Sequence, residues 1–138
     1  MEETDLMIGN FVEFDEQQCE VIEIGAPTCW VYSKMGQHYE ARYDQLGGIE
    51  LTETLLFRLG FVQPQPGKNF FIHSSSLQPF NNDTNATLRF VFIEGDSKLT
   101  VSFGDSKLGC LFARLDYLHE LQNLWYWANF KETLKIHL

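Results

Sequence analysis

The chain has 138 residues, of which 44% are hydrophobic and 14% aromatic, so it can bury a core and it does not belong to the intrinsically disordered class. Its formal net charge is −9, and the first 50 residues carry all of it, with eleven acidic and two basic residues against eight of each in the remainder. Such a charge repels nucleic-acid phosphates, which argues against direct nucleic-acid binding and favours a basic partner or a cation.

The cysteines and the hydrophobic runs exclude further classes of protein. Cys19, Cys29 and Cys110 form no Cys-x-x-Cys pair, which argues against a disulfide framework and against a four-cysteine zinc site. No signal-peptide pattern opens the chain, and no apolar run approaches the roughly 20 residues of a membrane span. We therefore expect a cytoplasmic protein without a membrane segment.

In chain order, residues 1–48 predict a small acidic β module. Side chains alternate between apolar and polar from Ile8 to Phe14, which indicates a first strand. Three further short strands are predicted at 19–24, 29–33 and 38–42, joined by polar or glycine-containing turns. Four short strands with tight connections favour an antiparallel sheet of the SH3-like barrel kind.

Residues 49–138 predict a second module, of the α+β class. A helix over 52–59 has Thr52 as its N-cap and Gly60 as its C-terminal cap. An antiparallel β meander follows over 69–114, an amphipathic helix over 116–129, and a terminal strand in which Leu134, Ile136 and Leu138 alternate with polar residues. We expect the two modules to form one compact α+β unit.

No linear motif predicts catalysis. Gly104-Asp105-Ser106 and the Asp116/His119 pair look superficially like the two blocks of GDSL-type hydrolases, but here they are only ten residues apart. That family separates them across a much larger domain, so we reject a hydrolase. His119 also lacks the second histidine of a zinc HExxH motif, because Asn123 occupies its place, and we expect His119 to be a half-exposed helix residue. We predict no enzyme, no metal and no cofactor.

Aromatic and arginine side chains are the candidate contacts for a ligand or partner. Successive helix residues are about 100° apart, so three consecutive aromatics at 125–127 cannot all face one core. Arginine beside aromatic rings can hold a phosphate while a base stacks. The candidates are Trp30, Tyr32, Arg42, Tyr43, Arg89, Arg114, Trp125 and Trp127, with an acidic patch of Glu13, Asp15, Glu16, Glu20 and Glu23.

Each of these features has an ordinary structural alternative. The tryptophans can pack in satellite clusters beneath other elements, and the arginines can form common surface ion pairs. The acidic residues can form a solvated face that only confers solubility. The sequence leaves these alternatives open.

Two stretches resemble a group of small proteins encoded by phages and mobile elements of gut Bacteroidetes. They are residues 8–12, Ile-Gly-Asn-Phe-Val, and residues 117–124, Tyr-Leu-His-Glu-Leu-Gln-Asn-Leu. A helix like that over 50–56, followed by Gly60-Phe61, also fits the group, but the chain departs from it after Leu124. The group has no assigned activity, so no functional residue carries over. The resemblance implies a phage-type protein that acts inside a bacterial host cell.

The leading hypothesis is a non-enzymatic binding protein that counteracts host antiviral defence. It would bind a host defence protein, or sequester a small nucleotide signal by aromatic stacking and arginine–phosphate contacts. The alternatives are a phage structural or assembly accessory protein and an acidic decoy of a nucleic-acid-binding protein. The sequence leaves a homo-oligomer open.

Overall fold

A computed structural model of the chain describes residues 1–63, 70–71, 88–92, 99–103, 110–128, 134 and 136. It divides into two compact units: Met1–Glu50 with Tyr117–Leu124, and Leu51–Asp116 with Trp125–Leu138. Each unit contains an antiparallel sheet, and a helix runs near the end of the chain, so the fold is of the predicted α+β class.

The first unit is built on a curled, five-stranded antiparallel sheet with the strand order β4-β3-β2-β1-β5. The four predicted strands are present, and β5 is an addition: two residues that pair with β1, too short for a periodic pattern to reveal. The strands are β1 (Phe11–Phe14), β2 (Gln17–Ile24), β3 (Thr28–Ser33), β4 (His38–Arg42) and β5 (Leu46–Gly47).

The first strand starts at Phe11, three residues later than the alternation from Ile8 suggested. Gly9 has a φ of +92°, a left-handed conformation that does not continue a strand. Its N–H nevertheless donates to the carbonyl of Val21 at 2.7 Å, and the N–H of Val21 donates to the carbonyl of Asn10 at 2.8 Å. The segment before β1 therefore stays joined to β2 without being extended.

The turn between β1 and β2 has only two residues, Asp15 and Glu16, with φ values of +50° and +60°. Positive φ at both positions matches the type I′ turns that suit the right-handed twist of a hairpin. Such turns prefer Asn-Gly, since glycine alone adopts positive φ without steric cost. The sequence therefore places two strained residues at this hairpin.

Inward-facing side chains of all five strands form the core of the first unit. Cys19 and Cys29 belong to it as free thiols, and burial raises the pKa of each above its usual value. Tyr39 and Phe14 pack at its margin with ring centroids 5.4 Å apart. The buried members are Leu6, Val12, Cys19, Val21, Cys29, Val31, Ala41 and Leu46.

Helix α2 (Leu118–Ala128) contributes its first two turns to the first unit through two amide side chains. Gln122 accepts a hydrogen bond from the N–H of Phe11 at 2.8 Å and donates to the carbonyl of Gly9 at 2.9 Å. Asn123 accepts from the side chain of the buried Asn10 at 2.9 Å and donates to the carbonyl of Asp5 at 3.0 Å. These bonds satisfy polar groups next to β1 that have no strand partner on that side.

The second unit contains helix α1 (Glu53–Arg58) and a four-stranded antiparallel sheet in the order β6-β7-β8-β9. Thr52 caps α1 as predicted, since its hydroxyl accepts from the N–H of Leu55 at 3.1 Å, and Gly60 follows the helix with a φ of +89°. The strands, which correspond to the predicted meander, are β6 (Phe70–Phe71), β7 (Leu88–Phe92), β8 (Leu99–Phe103) and β9 (Cys110–Leu115).

Several predicted elements of the second unit fall on residues that the structure does not describe. The loop over 74–85 and the turns at 94–97 and 104–107, including Gly104-Asp105-Ser106, lie outside the described residues. Of the predicted terminal strand, only Leu134 and Ile136 are described, and neither lies in a strand. Helix α2 begins two residues later than predicted, at Leu118, and its predicted end at residue 129 lies outside the described residues. None of the described helices is long and apolar enough to cross a membrane.

Candidate functional site

The solvent-facing side of the first sheet presents two large aromatic side chains. Along β3, burial alternates strictly: Cys29, Val31 and Ser33 point into the core, while Trp30 and Tyr32 point outward. Trp30 is 38% and Tyr32 39% exposed. The strand register places further outward side chains beside them, and together these form the outer face: Phe11, Glu13, Gln18, Glu20, Ile22, Glu23, Thr28, Trp30, Tyr32, His38, Glu40 and Arg42.

Two carboxylates flank Trp30 across the sheet. Glu23 of β2 and Glu40 of β4 are its direct cross-strand partners on either side. Directly opposed residues have Cβ atoms about 4.5–5.5 Å apart, close enough for their side chains to interact. The hydroxyl of Thr28 donates to a carboxylate oxygen of Glu40 at 2.7 Å, which holds that charge near the indole ring.

Tyr32 has a similar setting one pair further along the sheet. Its partners are Glu20 on β2 and His38 on β4, and the Tyr32 and His38 rings lie 4.9 Å apart at 53°. Between the two aromatic positions, a bulge in β2 between Val21 and Glu23 turns Ile22 outward, where it is 36% exposed. On the outer face, Trp30 therefore lies between two carboxylates, and Tyr32 lies between a carboxylate and an imidazole.

The electrostatics of this face are one-sided. Arg42 is its one arginine or lysine, and its guanidinium is paired with the carboxylate of Asp44, Nε to Oδ1 at 3.0 Å. The first unit as a whole has twelve acidic and two basic residues, a formal charge of −10. A phosphate group would meet repulsion here, whereas a cation would find carboxylates and electron-rich ring faces.

Three of the predicted contact residues do not lie on the outer face. Tyr43 lies in a short 3-10 helix after β4, and its hydroxyl donates to the carbonyl of Gly25. Trp125 is 3% exposed and packs edge-to-face on Phe61 at 5.7 Å, so it is a core side chain of the second unit and does not form a contact surface. Trp127 is 66% exposed and is the residue of the 125–127 run that points outward.

The two remaining arginine candidates belong to the second unit. Arg114 lies on β9 and is exposed. Arg89 lies on β7, and its side chain is outside the described part of the structure. A phosphate contact by Arg42, Arg89 or Arg114 stays a prediction.

The predicted acidic patch separates into two groups. Glu13, Glu20 and Glu23 lie on the outer face, whereas Asp15 and Glu16 form the β1–β2 turn. Sequence reasoning missed Glu40, which completes the acidic border beside Trp30. The signal was present, because Glu40 alternates with the inward-facing Tyr39 and Ala41.

His119 differs from its expectation. The sequence predicts a half-exposed helix residue, and this prediction is wrong. His119 is 4% exposed at the start of α2. The reason is tertiary: residues Ile49 and Glu50 pair with Leu118 and Tyr117, with a hydrogen bond from the N–H of Leu118 to the carbonyl of Ile49 at 2.8 Å. This pairing draws the first turn of the helix into the first unit.

Comparison with known proteins adds no relative: no protein-family model matches the chain, and no curated protein and no solved structure matches it either. Within the described residues, no group of three or more His, Cys, Asp or Glu side chains could hold a metal ion. The interpretation of the outer face therefore rests on its own geometry and charge.

Proposed function

We propose that this chain is a non-enzymatic binding protein whose outer face takes a lysine- or arginine-rich segment of a partner protein. The observation that supports this most directly is the placement of Trp30 between Glu23 and Glu40. Aromatic rings with nearby carboxylates suit a basic side chain twice, through cation–π attraction and through charge-assisted hydrogen bonds. Exposed aromatics of this kind are also the residues that dominate interface energies.

This chemistry favours some of the hypotheses from the sequence over others. A protein partner with a basic surface, whether a host defence protein or a nucleic-acid-binding protein that the chain mimics as an acidic decoy, fits the outer face. Sequestration of a nucleotide signal fits it poorly, because the phosphates would lie among the carboxylates of Glu20, Glu23 and Glu40. The five short strands of the first unit are consistent with an SH3-like module, and we propose that assignment for it.

A defined peptide tests the binding chemistry. A 12-residue peptide of alternating lysine and serine should bind the protein in isothermal titration calorimetry, and the same peptide with glutamate for lysine should not. Trp30→Ala should weaken binding by roughly 10- to 30-fold, the loss expected when an aromatic anchor is removed. Trp127→Ala removes an equally large exposed ring from the second unit and should leave binding unchanged.

Charge-matched variants separate the outer face from general acidity. The double variant Glu23→Gln and Glu40→Gln should weaken binding and reduce its salt dependence. The variant Asp15→Asn and Glu16→Gln removes the same charge from the β1–β2 turn and should have a smaller effect. Equal effects of the two double variants would contradict the proposal, because attraction would then follow net charge alone.

The biological context is proposed from the resemblance: a phage-type protein that blocks host antiviral defence within the bacterial cytoplasm. Expressing the chain in a defended bacterial host should raise the plaquing efficiency of a sensitive phage, and Trp30→Ala should remove that gain. If Trp30→Ala stays fully active, counter-defence does not work through the outer face. If the wild type gives no gain but co-purifies with phage particles, the accessory-protein alternative takes its place.

A further inference from the structure

A cleft whose lining includes neither Trp30 nor Tyr32 lies within the first unit. It has a volume of about 590 Å³ and lies between the N-terminal segment, β5 and the first turns of α2. Its walls include two carboxylates, an aromatic ring, an amide, a buried imidazole and glycine backbone, together with the N-terminal residue Met1. The residues concerned are Asp5, Gly48, Tyr117, His119, Glu120 and Asn123.

The imidazole of His119 is unusual in this cleft. The side chain is 96% buried, and its Nδ1 has no hydrogen-bond partner within the part of the chain that the structure describes. Burial lowers the pKa of His119 below its usual value, because the desolvated ring disfavours the charged form, so the ring is neutral at pH 7. A neutral imidazole has one nitrogen lone pair that accepts a hydrogen bond. An unpaired buried nitrogen costs free energy, and for the tautomer with its proton on Nε2 a donor from a ligand removes that cost at Nδ1.

Tyr117 forms the aromatic wall. Its ring stacks on that of His119 with centroids 5.9 Å apart and an angle of 11°, and it is itself 39% exposed. On its other side, the ring lies so close to Gly48 that a Cβ atom there would be 2.3 Å from it. Gly48 and His119 thus fix the ring in place, with part of its surface open to a ligand.

We propose that this cleft binds an organic cation with N–H donors, of the ammonium or guanidinium class. Asp5 and Glu120 supply negative charge, Tyr117 supplies an aromatic surface, and the neutral His119 supplies an acceptor. An anion is disfavoured by the two carboxylates and by the charge of −10 on the unit. The cation is either a free amine or a lysine or arginine side chain of a partner.

Ligand binding and the protonation of His119 oppose each other in this site. The groups near the imidazole are Asp5 and the amino group of Met1 on the N-terminal segment, and Glu120 and Tyr117 on the helix side. A bound cation adds positive charge next to His119 and so disfavours its imidazolium form. Because such coupling is reciprocal, the ligand should lower the pKa of His119, and protonation of His119 should lower the affinity for the ligand.

The test uses Nα-acetyl-L-argininamide as the guanidinium probe and Nα-acetyl-L-citrullinamide, which carries no charge, as its neutral isostere, in a titration followed by NMR. Argininamide should shift the amide signals of Gly48, His119 and Asn123, change the imidazole ¹⁵N signals of His119, and lower the pKa of that ring. Citrullinamide at the same concentration should do none of these. Equal responses to the two probes, or shifts confined to residues around Trp30, would overturn the proposal.

Two isosteric variants give the matched comparison. Glu120→Gln should lower the affinity for argininamide by about 2- to 5-fold, which is the effect of a partly exposed carboxylate on a bound cation. Glu16→Gln removes the same charge from the β1–β2 turn and should leave this affinity unchanged, which separates the cleft from the general acidity of the unit. If an arginine inside a longer blocked peptide binds as well as the acetylated argininamide, the source is a partner side chain; if only the single acetylated residue binds, the source is a small molecule.

Discussion

Two adjacent glycines in the first unit should respond in opposite ways to the same mutation. A Cβ atom added to Gly48 would lie 2.3, 2.4 and 2.8 Å from three ring carbons of Tyr117. Non-bonded carbon atoms pack at about 3.5–4.0 Å, so the ring would have to move by roughly 1 Å or more. A Cβ added to Gly47 would meet its nearest atom, the Cβ of Glu13, at 3.8 Å, which is ordinary contact.

The displacement of Tyr117 determines how much Gly48→Ala lowers the free energy of unfolding. Its ring stacks on His119, and its backbone forms a bridge to Glu50 at the start of α2. Forcing extra volume into such a packed site costs about 1–3 kcal/mol, so we expect Gly48→Ala to lower the free energy of unfolding by about 2 kcal/mol. Gly47→Ala should change it by less than about 0.5 kcal/mol, as do most changes that leave packing intact.

Urea unfolding followed by circular dichroism measures this difference. With a slope of about 2 kcal/mol per molar urea, a loss of 2 kcal/mol moves the midpoint down by about 1 M. In a Tyr117→Ala background, Gly48→Ala should cost little, which gives a coupling free energy of about 1.5–2 kcal/mol between the two positions. Equal midpoints for the two alanine variants would refute the steric reasoning.

Three further predictions concern the turn, the helix and the buried imidazole. Glu16→Gly should stabilise the first unit by about 0.5–1 kcal/mol in urea unfolding. Positive φ costs a non-glycine residue about 1–2 kcal/mol, and part of this gain is lost because glycine gives the unfolded chain more conformational entropy. Gln122→Ala should destabilise it by about 2–3 kcal/mol, because the N–H of Phe11 and the carbonyl of Gly9 both lose their partner. The free energy of unfolding should fall as pH drops below about 6.5, because the unfolded chain protonates His119 before the folded chain does, and His119→Gln should remove this slope.

Each of these has a matched control. Glu13→Gly, in a strand with ordinary φ, should destabilise where Glu16→Gly stabilises. Gln18→Ala, on the outer face, should stay within about 0.5 kcal/mol of the wild type. For His119, the window ends at the lowered pKa of the folded state, below which both states are protonated and the slope vanishes. An unchanged pH slope in His119→Gln would assign the effect to carboxylates instead.

Most strands of the first sheet could be predicted from the sequence, because each strand shows a local pattern of its own. Alternation of apolar and polar residues is a property of each strand alone, so β2, β3 and β4 could be read without their neighbours. In the structure, the same alternation leaves Trp30 and Tyr32 on the solvent side. The two residues of β5 have no such period, and only their pairing with β1 makes them a strand.

The environment of the outer face depends on register, which the sequence specifies only indirectly. Whether Glu23 or Ile22 lies beside Trp30 is decided by the bulge in β2, where the pairing shifts by one residue. Without the bulge, the strand beyond it would present the opposite set of side chains. Candidate aromatics could therefore be chosen from the sequence, but their acidic neighbours could be identified only from the strand pairing.

Helix α2 shows most clearly why local patterns do not reach the cleft. Its leucine stripe predicts one apolar side, yet Gln122 and Asn123 bond to Gly9, Phe11, Asp5 and Asn10, which lie 111–118 residues earlier in the chain. A glutamine that pairs with a backbone N–H and a carbonyl substitutes for a neighbouring strand, and no periodicity marks it. Since those bonds hold the first turns of α2 beside the N-terminal segment, they also position His119 and Glu120 in the cleft. The proposed cation site thus depends on amide contacts that no linear motif contains.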